Sequence, residues 1–488
     1  MDLQQKTDEV KNLAGNPREL VVRNLMIGNE FSIEAVIIYM NGLVNNNIID
    51  RDILNPLMLH VKDNLMTVKD IGEFIYKKYV TVSGSTIEQD INIAVDSIKR
   101  GKTLLMIDNY EKYIVIDTSG GEQRSIEEPA NNISLRGPRE GFVENLQVNL
   151  SMIRRKIKDK NLKTEKFTLG RRSQTDLLLV YLDDVVNKEY LEKLKQKVSS
   201  IDIDAVNSNS YVEQYVSENG GSIFPQVIGN ERLDVVVGQI LEGRIAFLLD
   251  GTSYVTTYPT VFTEFFQTEE DYYGRYIQTN FIRILRMVAV FVVITLPAIY
   301  ITLIKFNSEL IPIEFIKSLI EARSVIALTP FMSLVAMEFT IELLREGGLR
   351  LPGKIGQTLS VVGGIIIGDA ALKAKIVSSP TLLVAGICTV ASFVISNYQM
   401  AIAIRTLTYP MLILSNWLGV LGIVLGWFFI IAYICSLENL GVEYFSIHKN
   451  DIKDTIFKFS LKKMNKRPQA IPNSNATRQG NTGKDKNE

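Results

Sequence analysis

The residues best placed to do chemistry in this chain are charged groups inside an apolar run: Glu338, Glu342 and Arg345. Glu338 and Glu342 stand one helical turn apart and share a face that Arg345 continues. Ionisable groups within a membrane helix are costly, so they face a partner or a watery path. Glu342 can be neutralised by Arg345, and Glu346 can sit at the interface. Glu338 lies deeper and calls for a pathway or an intersubunit role. Farther on, Gly363-Gly364-Ile365-Ile366-Ile367-Gly368-Asp369 sets glycines among branched side chains. Gly364 and Gly368 form a small-xxx-small face, as do Gly422 and Gly426. Such faces serve tight helix packing. Branched residues from several subunits would instead form a hydrophobic constriction that gates by dewetting. Periodicity does not choose between them.

Enzymatic chemistry has little to stand on. His60 and His448 are the only histidines and lie in unrelated contexts, so a zinc site or a histidine base is not expected. Cys388 and Cys435 sit inside apolar runs and read as packing residues. Gly353-Lys354-Ile355-Gly356-Gln357-Thr358 has the wrong order and spacing for a phosphate loop. No catalytic residue, metal or cofactor is therefore expected, and a net charge of −1 gives no nucleic-acid signature.

The elements that must position these residues divide the 488-residue chain in two. Four runs look able to span a bilayer, at about 284–304, 325–344, 380–404 and 409–437, within a transmembrane bundle over 281–440. The segment 355–371 is short for a span and suits a re-entrant or pore-facing element. Arg283 and Arg286 before the first run, and a basic, largely disordered tail over 441–488, place both ends in the cytoplasm. An even number of crossings follows: four, or six if 311–322 and 355–371 also cross. The polar start, residues 1–14, reads as disordered and not as a signal peptide.

The preceding region reads as an α/β soluble head. A shift of 142 residues lays Gly28 on Gly170, Tyr39 on Tyr181 and Gly101 on Gly243, and aligns the apolar runs around them. This suggests two similar α/β subdomains, 15–135 and 161–280. Gly101 and Gly243 are expected to close helices. Between the copies, 136–160 reads as a linker loop and surface helix, or else as a docking loop built on Arg136 and Arg139.

The ordered set Arg136-Gly137-Pro138, Phe224-Pro225-Gln226, Glu242-Gly243-Arg244, Asp271-Tyr272-Tyr273, the block from Glu338 to Glu346, Gly348-Leu349-Arg350-Leu351-Pro352 and Gly356-Gln357-Thr358 resembles the A subunits of GerA-type bacterial spore germinant receptors. The resemblance runs from about residue 15 to residue 440. It implies a multi-pass protein of the spore inner membrane, its head facing the cytoplasm. It further implies a homo-oligomer, expected to be a pentamer, working with a permease-like B subunit that binds nutrient, a lipoprotein C subunit and membrane lipids. The ring would conduct ions once nutrient is sensed, with the segment around Ile365 gating it and Arg136, Gly137 and Pro138 serving head assembly. The other readings are a non-conducting scaffold that clusters receptors, and the family's paralogue from the spoVA operon. A secondary transporter fits less well, since no inverted repeat of broken helices shows.

Overall fold

The computed structural model describes residues 2–478 apart from 18, 29–31, 66–67, 121–126, 130–135, 351–363, 365, 447, 449–450, 452–453, 455–456 and 461–463. It divides into two compact units, Met1–Arg124 and Ser125–Glu488.

In the first unit the strands β1 (Leu20–Ile27), β2 (Ile33–Met40), β3 (Thr86–Glu88), β4 (Thr103–Ile107) and β5 (Tyr113–Ile116) form one antiparallel sheet in the order β1-β2-β4-β5-β3. Period-two alternation sends Ala35 and Ile37 into one core and Val36 and Ile38 into the other, so both faces must be covered. Ile49, Ile53 and Leu57, with Ile75 of α2 (Ile71–Tyr79), cover the first face. Leu3 and Val10 of α1 (Leu3–Ala14) cover the second, beside Ala94, Val95 and Ile98 of α3 (Ile91–Lys99). The Asp90 side chain caps α3 by accepting from the Asn92 N–H. Gly101 follows the helix at φ +81°, and a Cβ there would lie 2.6 Å from the Leu43 carbonyl oxygen.

The second unit opens with the same arrangement. Strands β6 (Leu162–Leu169), β7 (Thr175–Leu182), β8 (Ile228–Asn230), β9 (Ile245–Leu249) and β10 (Val255–Tyr258) run antiparallel in the order β6-β7-β9-β10-β8. The 142-residue shift carries each strand of the first sheet onto its counterpart. It also carries the Leu20↔Met40 pair onto Leu162↔Leu182. Helices α5 (Lys188–Ser199) and α6 (Asn209–Val216) cover one face, and α4 (Leu146–Lys156) and α7 (Leu233–Leu241) the other.

Two expectations need correction. Residues 1–14 are not disordered: α1 buries Leu3, Lys6, Thr7 and Val10. The helix placed in the linker is likewise structural, because the 142-residue shift lays α1 on α4, whose Met152 and Ile153 are fully buried. Both helices are polar on average and anchor through few large apolar residues, which left the sequence pattern faint.

The rest of the second unit is helical: α8 (Tyr276–Lys305), α9 (Ile313–Arg323), α10 (Pro330–Leu349), α11 (Ser379–Ser392), α12 (Tyr398–Leu418) and α13 (Val420–Ser436). Among the described residues, α8 is the one helix long and apolar enough to cross a membrane; α11 and α13 are shorter apolar helices. The apolar runs break elsewhere than expected. The chain leaves helix between Ser392 and Tyr398, inside the run drawn as 380–404. α12 then continues through Arg405 and ends at Gly419, with φ +59° and a virtual Cβ 3.1 Å from Phe306. Of the weaker segment 355–371, residues 351–363 and 365 lie outside the described residues, and 366–373 are helical.

Packing in the bundle follows the glycines and prolines. A Cβ on Gly422 would collide with the Leu414 carbonyl, and one on Gly426 would lie 2.6 Å from Met411 Sδ, so this small-xxx-small face closes α13 onto α12. Pro297 within α8 cannot bond the carbonyl one turn earlier, that of Val293. Thr408 Oγ1 of α12 donates to that carbonyl at 3.2 Å.

The tail also departs from expectation. Tyr444 is buried and donates to the Pro225 carbonyl at 2.6 Å, Ile471 is fully buried, and Ser474 Oγ donates to the Val186 carbonyl at 2.8 Å. Widely spaced single anchors hold it, a pattern with no period to read.

Candidate functional site

Two ion clusters organise the helical part. The first lies where α8 leaves the head. Asp271 is buried and accepts from Arg283 Nε at 3.1 Å and Arg286 Nη1 at 2.8 Å, and from the Thr268 N–H and Oγ1 at 3.2 and 3.1 Å. Arg286 also reaches the Phe266 carbonyl at 3.1 Å. Arg283 and Arg286, expected as markers of the cytoplasmic side, are buried ties between α8 and the head.

The tail closes over this cluster. Tyr272 donates to Asp454 Oδ2 at 2.9 Å, and Lys458 Nζ donates to the backbone carbonyl of Asp271. Asn280 and the Lys458 backbone exchange hydrogen bonds of 2.7 and 3.1 Å. Burial, together with nearby Glu242, pushes the Asp454 carboxyl up to about 6. Burial and then Arg283 push the Lys458 ammonium down. Beside it, Arg244 is clamped by Glu264 and by Glu242 at 3.3 Å, and Arg232 by Asp234 at 2.7 Å and Glu270 at 2.9 Å. Thus Glu242 and Arg244, and Tyr272 and Tyr273, from motifs separate in sequence, meet at one junction and line a cavity of about 950 Å³.

The second cluster lies inside the bundle. Glu342 of α10 accepts from Arg345 Nη1 at 2.8 Å and from Arg405 Nε and Nη2 of α12 at 3.1 and 3.0 Å. Arg345 also donates to Ser392 Oγ of α11 at 3.0 Å and lies over the Phe393 ring at 5.3 Å. One carboxylate therefore ties three helices. Glu338, one turn away, has a buried Oε1 with no hydrogen-bond partner. The structure thus brings Glu338, Glu342 and Arg345 together. It adds Arg405, which the sequence reading missed because the two runs as drawn put it in a connection. An arginine flanked by apolar residues on both sides was the available signal.

The remaining expected residues stand apart. Gly363 and Ile365 lie outside the described residues. A Cβ on Gly364 would meet nothing within 4 Å, and one on Gly368 would make ordinary contact with Leu382. Asp369 pairs with Lys373 at 2.7 Å, both exposed. Arg136 and Pro138 are exposed and Gly137 half-buried, while the neighbouring Arg139 pairs with Glu128 at 3.6 Å.

Among the described residues no group of three or more His, Cys, Asp or Glu could hold a metal ion. What the fold and the two clusters define is an α/β head continuous with a helix bundle, its buried charges arranged as ties between elements. The chain belongs to the GerA spore germination family: the family model described as Bacillus/Clostridium GerA spore germination protein matches residues 8–470. Spore germination protein KA of Bacillus subtilis is 34% identical over 97% of this chain and 87% of its own length. Membrane protein YfkQ of the same organism, described as uncharacterized, is 34% identical over 97% of this chain and 92% of its own. Spore germination protein B1, also from B. subtilis, is 29% identical, covering 96% of each. Among solved structures, the N-terminal domain of the A subunit of the Bacillus megaterium spore germinant receptor GerK3 matches 53% of this chain and 95% of that one, at 30% identity and a TM-score of 0.22.

Proposed function

We propose that this protein is the A subunit of a spore germinant receptor, a non-enzymatic, multi-pass protein of the spore inner membrane that oligomerises into a nutrient-gated ion channel. The observation that carries the reading is family membership along residues 8–470, joined to a bundle holding an ion cluster at Glu342. The reading takes an even number of passes, which Leu334 of α10 beside Tyr300 and Ile301 of α8 supports by setting these two helices antiparallel. The head then stays on the side of both termini, the cytoplasm. The identical order and offset of the two sheets support an internal duplication, and the homo-oligomer, the permease-like B subunit and the lipoprotein C subunit belong to the same reading.

The test is cation flux through liposomes carrying the assembled complex, wild type beside Ile365→Ala. A nutrient-independent leak in the variant places the gate in this chain. Tight liposomes for both, with assembly verified and nutrient present, favour the non-conducting scaffold.

A further inference from the structure

The helix α9 (Ile313–Arg323) differs from the longer helices on either side of it, α8 and α10, in burying no residue at all. Its sequence is sharply divided. At about 100° per residue, Glu314, Lys317, Ser318 and Glu321 occupy one arc, and Ile313, Phe315, Ile316, Leu319, Ile320 and Ala322 the opposite half, which Arg323 joins in the last turn with its guanidinium donating to the Leu328 carbonyl at 3.1 Å. Ile313, Phe315 and Ile320 are 72%, 58% and 60% exposed. Eleven residues make about 16 Å of helix, too short to cross a hydrocarbon core of about 30 Å.

The surrounding contacts fix where along the bundle this helix lies. α8 leaves the head at Arg283 and Arg286 and ends at Lys305, whose Nζ donates to the Asn416 carbonyl at 2.6 Å and its Oδ1 at 3.1 Å. The turn at Gly419 packs on Phe306, and Trp417 beside it is 74% exposed. An exposed Trp beside a Lys, at the turn between two apolar helices, is the pattern of a bilayer interface. α9 follows the end of α8 after a few residues, and α10 starts from the same level, with Phe331 and Leu334 beside Tyr300 and Ile304. Short, non-spanning, two-faced and tethered at both ends to that level, α9 has the features of an interfacial helix.

We propose that α9 lies flat on the bilayer surface opposite the head, with Ile313, Phe315 and Ile320 inserted among the lipids and Lys317 and its acidic neighbours in water. This rests on the membrane-spanning reading above. By continuity with the Lys305–Trp417 level, the occupant of the apolar face is lipid.

The test is spin-label accessibility on the full chain in phosphatidylethanolamine–phosphatidylglycerol liposomes, with Cys388→Ala and Cys435→Ser as background. Labels replace Phe315, Ile320, Ser318 and, as a bundle control, Phe428 of α13, which is 63% exposed. The inference requires oxygen collisions to exceed those of a water-soluble nickel complex at Phe315, Ile320 and Phe428, with the order reversed at Ser318. Lipid-like values at Phe428 with water-like values at Phe315 and Ile320 would overturn it and leave the membrane reading intact. Low collision with both reagents at Phe315 and Ile320 would also overturn it, assigning the face to a second copy of the chain. Water-like values at Phe428 would remove the membrane reading and this inference together.

Discussion

Asp271 and Glu342 each hold two arginines, yet the two clusters are built for different ends. Asp271 is 3% exposed; it takes both guanidinium groups and two further donors from Thr268, and the tail closes over it. Glu342 is 41% exposed, and its arginines come from two helices, beside Glu338, whose buried Oε1 has no hydrogen-bond partner. The buried pair has one arrangement available, because any other would strand a charge in low dielectric. At the bundle cluster the buried Glu338 Oε1 stands one turn from Glu342 as an acceptor without a donor. A fully buried tie suits the place where α8 leaves the head; a half-exposed cluster leaves water within reach of its carboxylate.

Removing the fixed tie should have the largest effect. Asp271→Ala leaves Arg283 and Arg286 buried without their shared carboxylate, a loss of about 3–5 kcal/mol. The purified variant should lose its cooperative unfolding transition or melt far below wild type; melting within a few degrees of wild type would end the description of Asp271 as a weld. Glu342→Gln should cost less, about 1.5–3 kcal/mol, because charge-assisted bonds go but solvent and Glu338 remain available. Equal losses for the two variants, measured by denaturant unfolding in detergent, would erase the contrast.

Smaller than either is a pH effect on the tail that covers the first cluster. Asp454 has its folded pKa raised to about 6, above the ordinary carboxylate value, so the folded form binds the extra proton. Docking therefore gains about 1 kcal/mol as pH falls from about 7 to about 5, and the penalty is fully present above about 6. Protection of the Lys458 amide relative to its intrinsic exchange rate, an amide that donates to Asn280, should rise correspondingly, and Asp454→Asn should flatten the change. A wild-type profile as flat as the variant's would show that the carboxyl is not titrating there.

How much of this was legible depended on whether a pattern repeats. The strands and the terminal Gly101 and Gly243 could be read because period-two burial and a single 142-residue offset reinforce each other along many residues. α1 escaped because Leu3 and Val10 are its only large buried apolar residues, two per three turns. Arg405 escaped for a different reason: hydropathy runs were cut at their charges, and a charge paired across helices looks like the end of a span. The pairing of Arg283 and Arg286 with Asp271 left no trace either, because basic residues at the head of an apolar helix carry one signature whether they face water or a buried carboxylate. Partners distant in sequence, such as Asp454 for Tyr272, leave no local trace.

The smallest change in stability should come from Glu338→Gln, and for that reason it separates the two clusters most cleanly. Gln keeps the shape and replaces a buried carboxyl whose Oε1 has no partner, so unfolding should occur at or slightly above the wild-type midpoint, within about 0.5 kcal/mol. If the bundle cluster works by passing arginines between Glu342 and Glu338, the same variant should alter nutrient-triggered cation flux several-fold in liposomes while leaving assembly intact. The corresponding neutral change in the first cluster, Asp271→Asn, cannot behave this way, since there the fold itself depends on the charge. Unchanged flux in Glu338→Gln would make the second cluster a tie like the first, merely less buried.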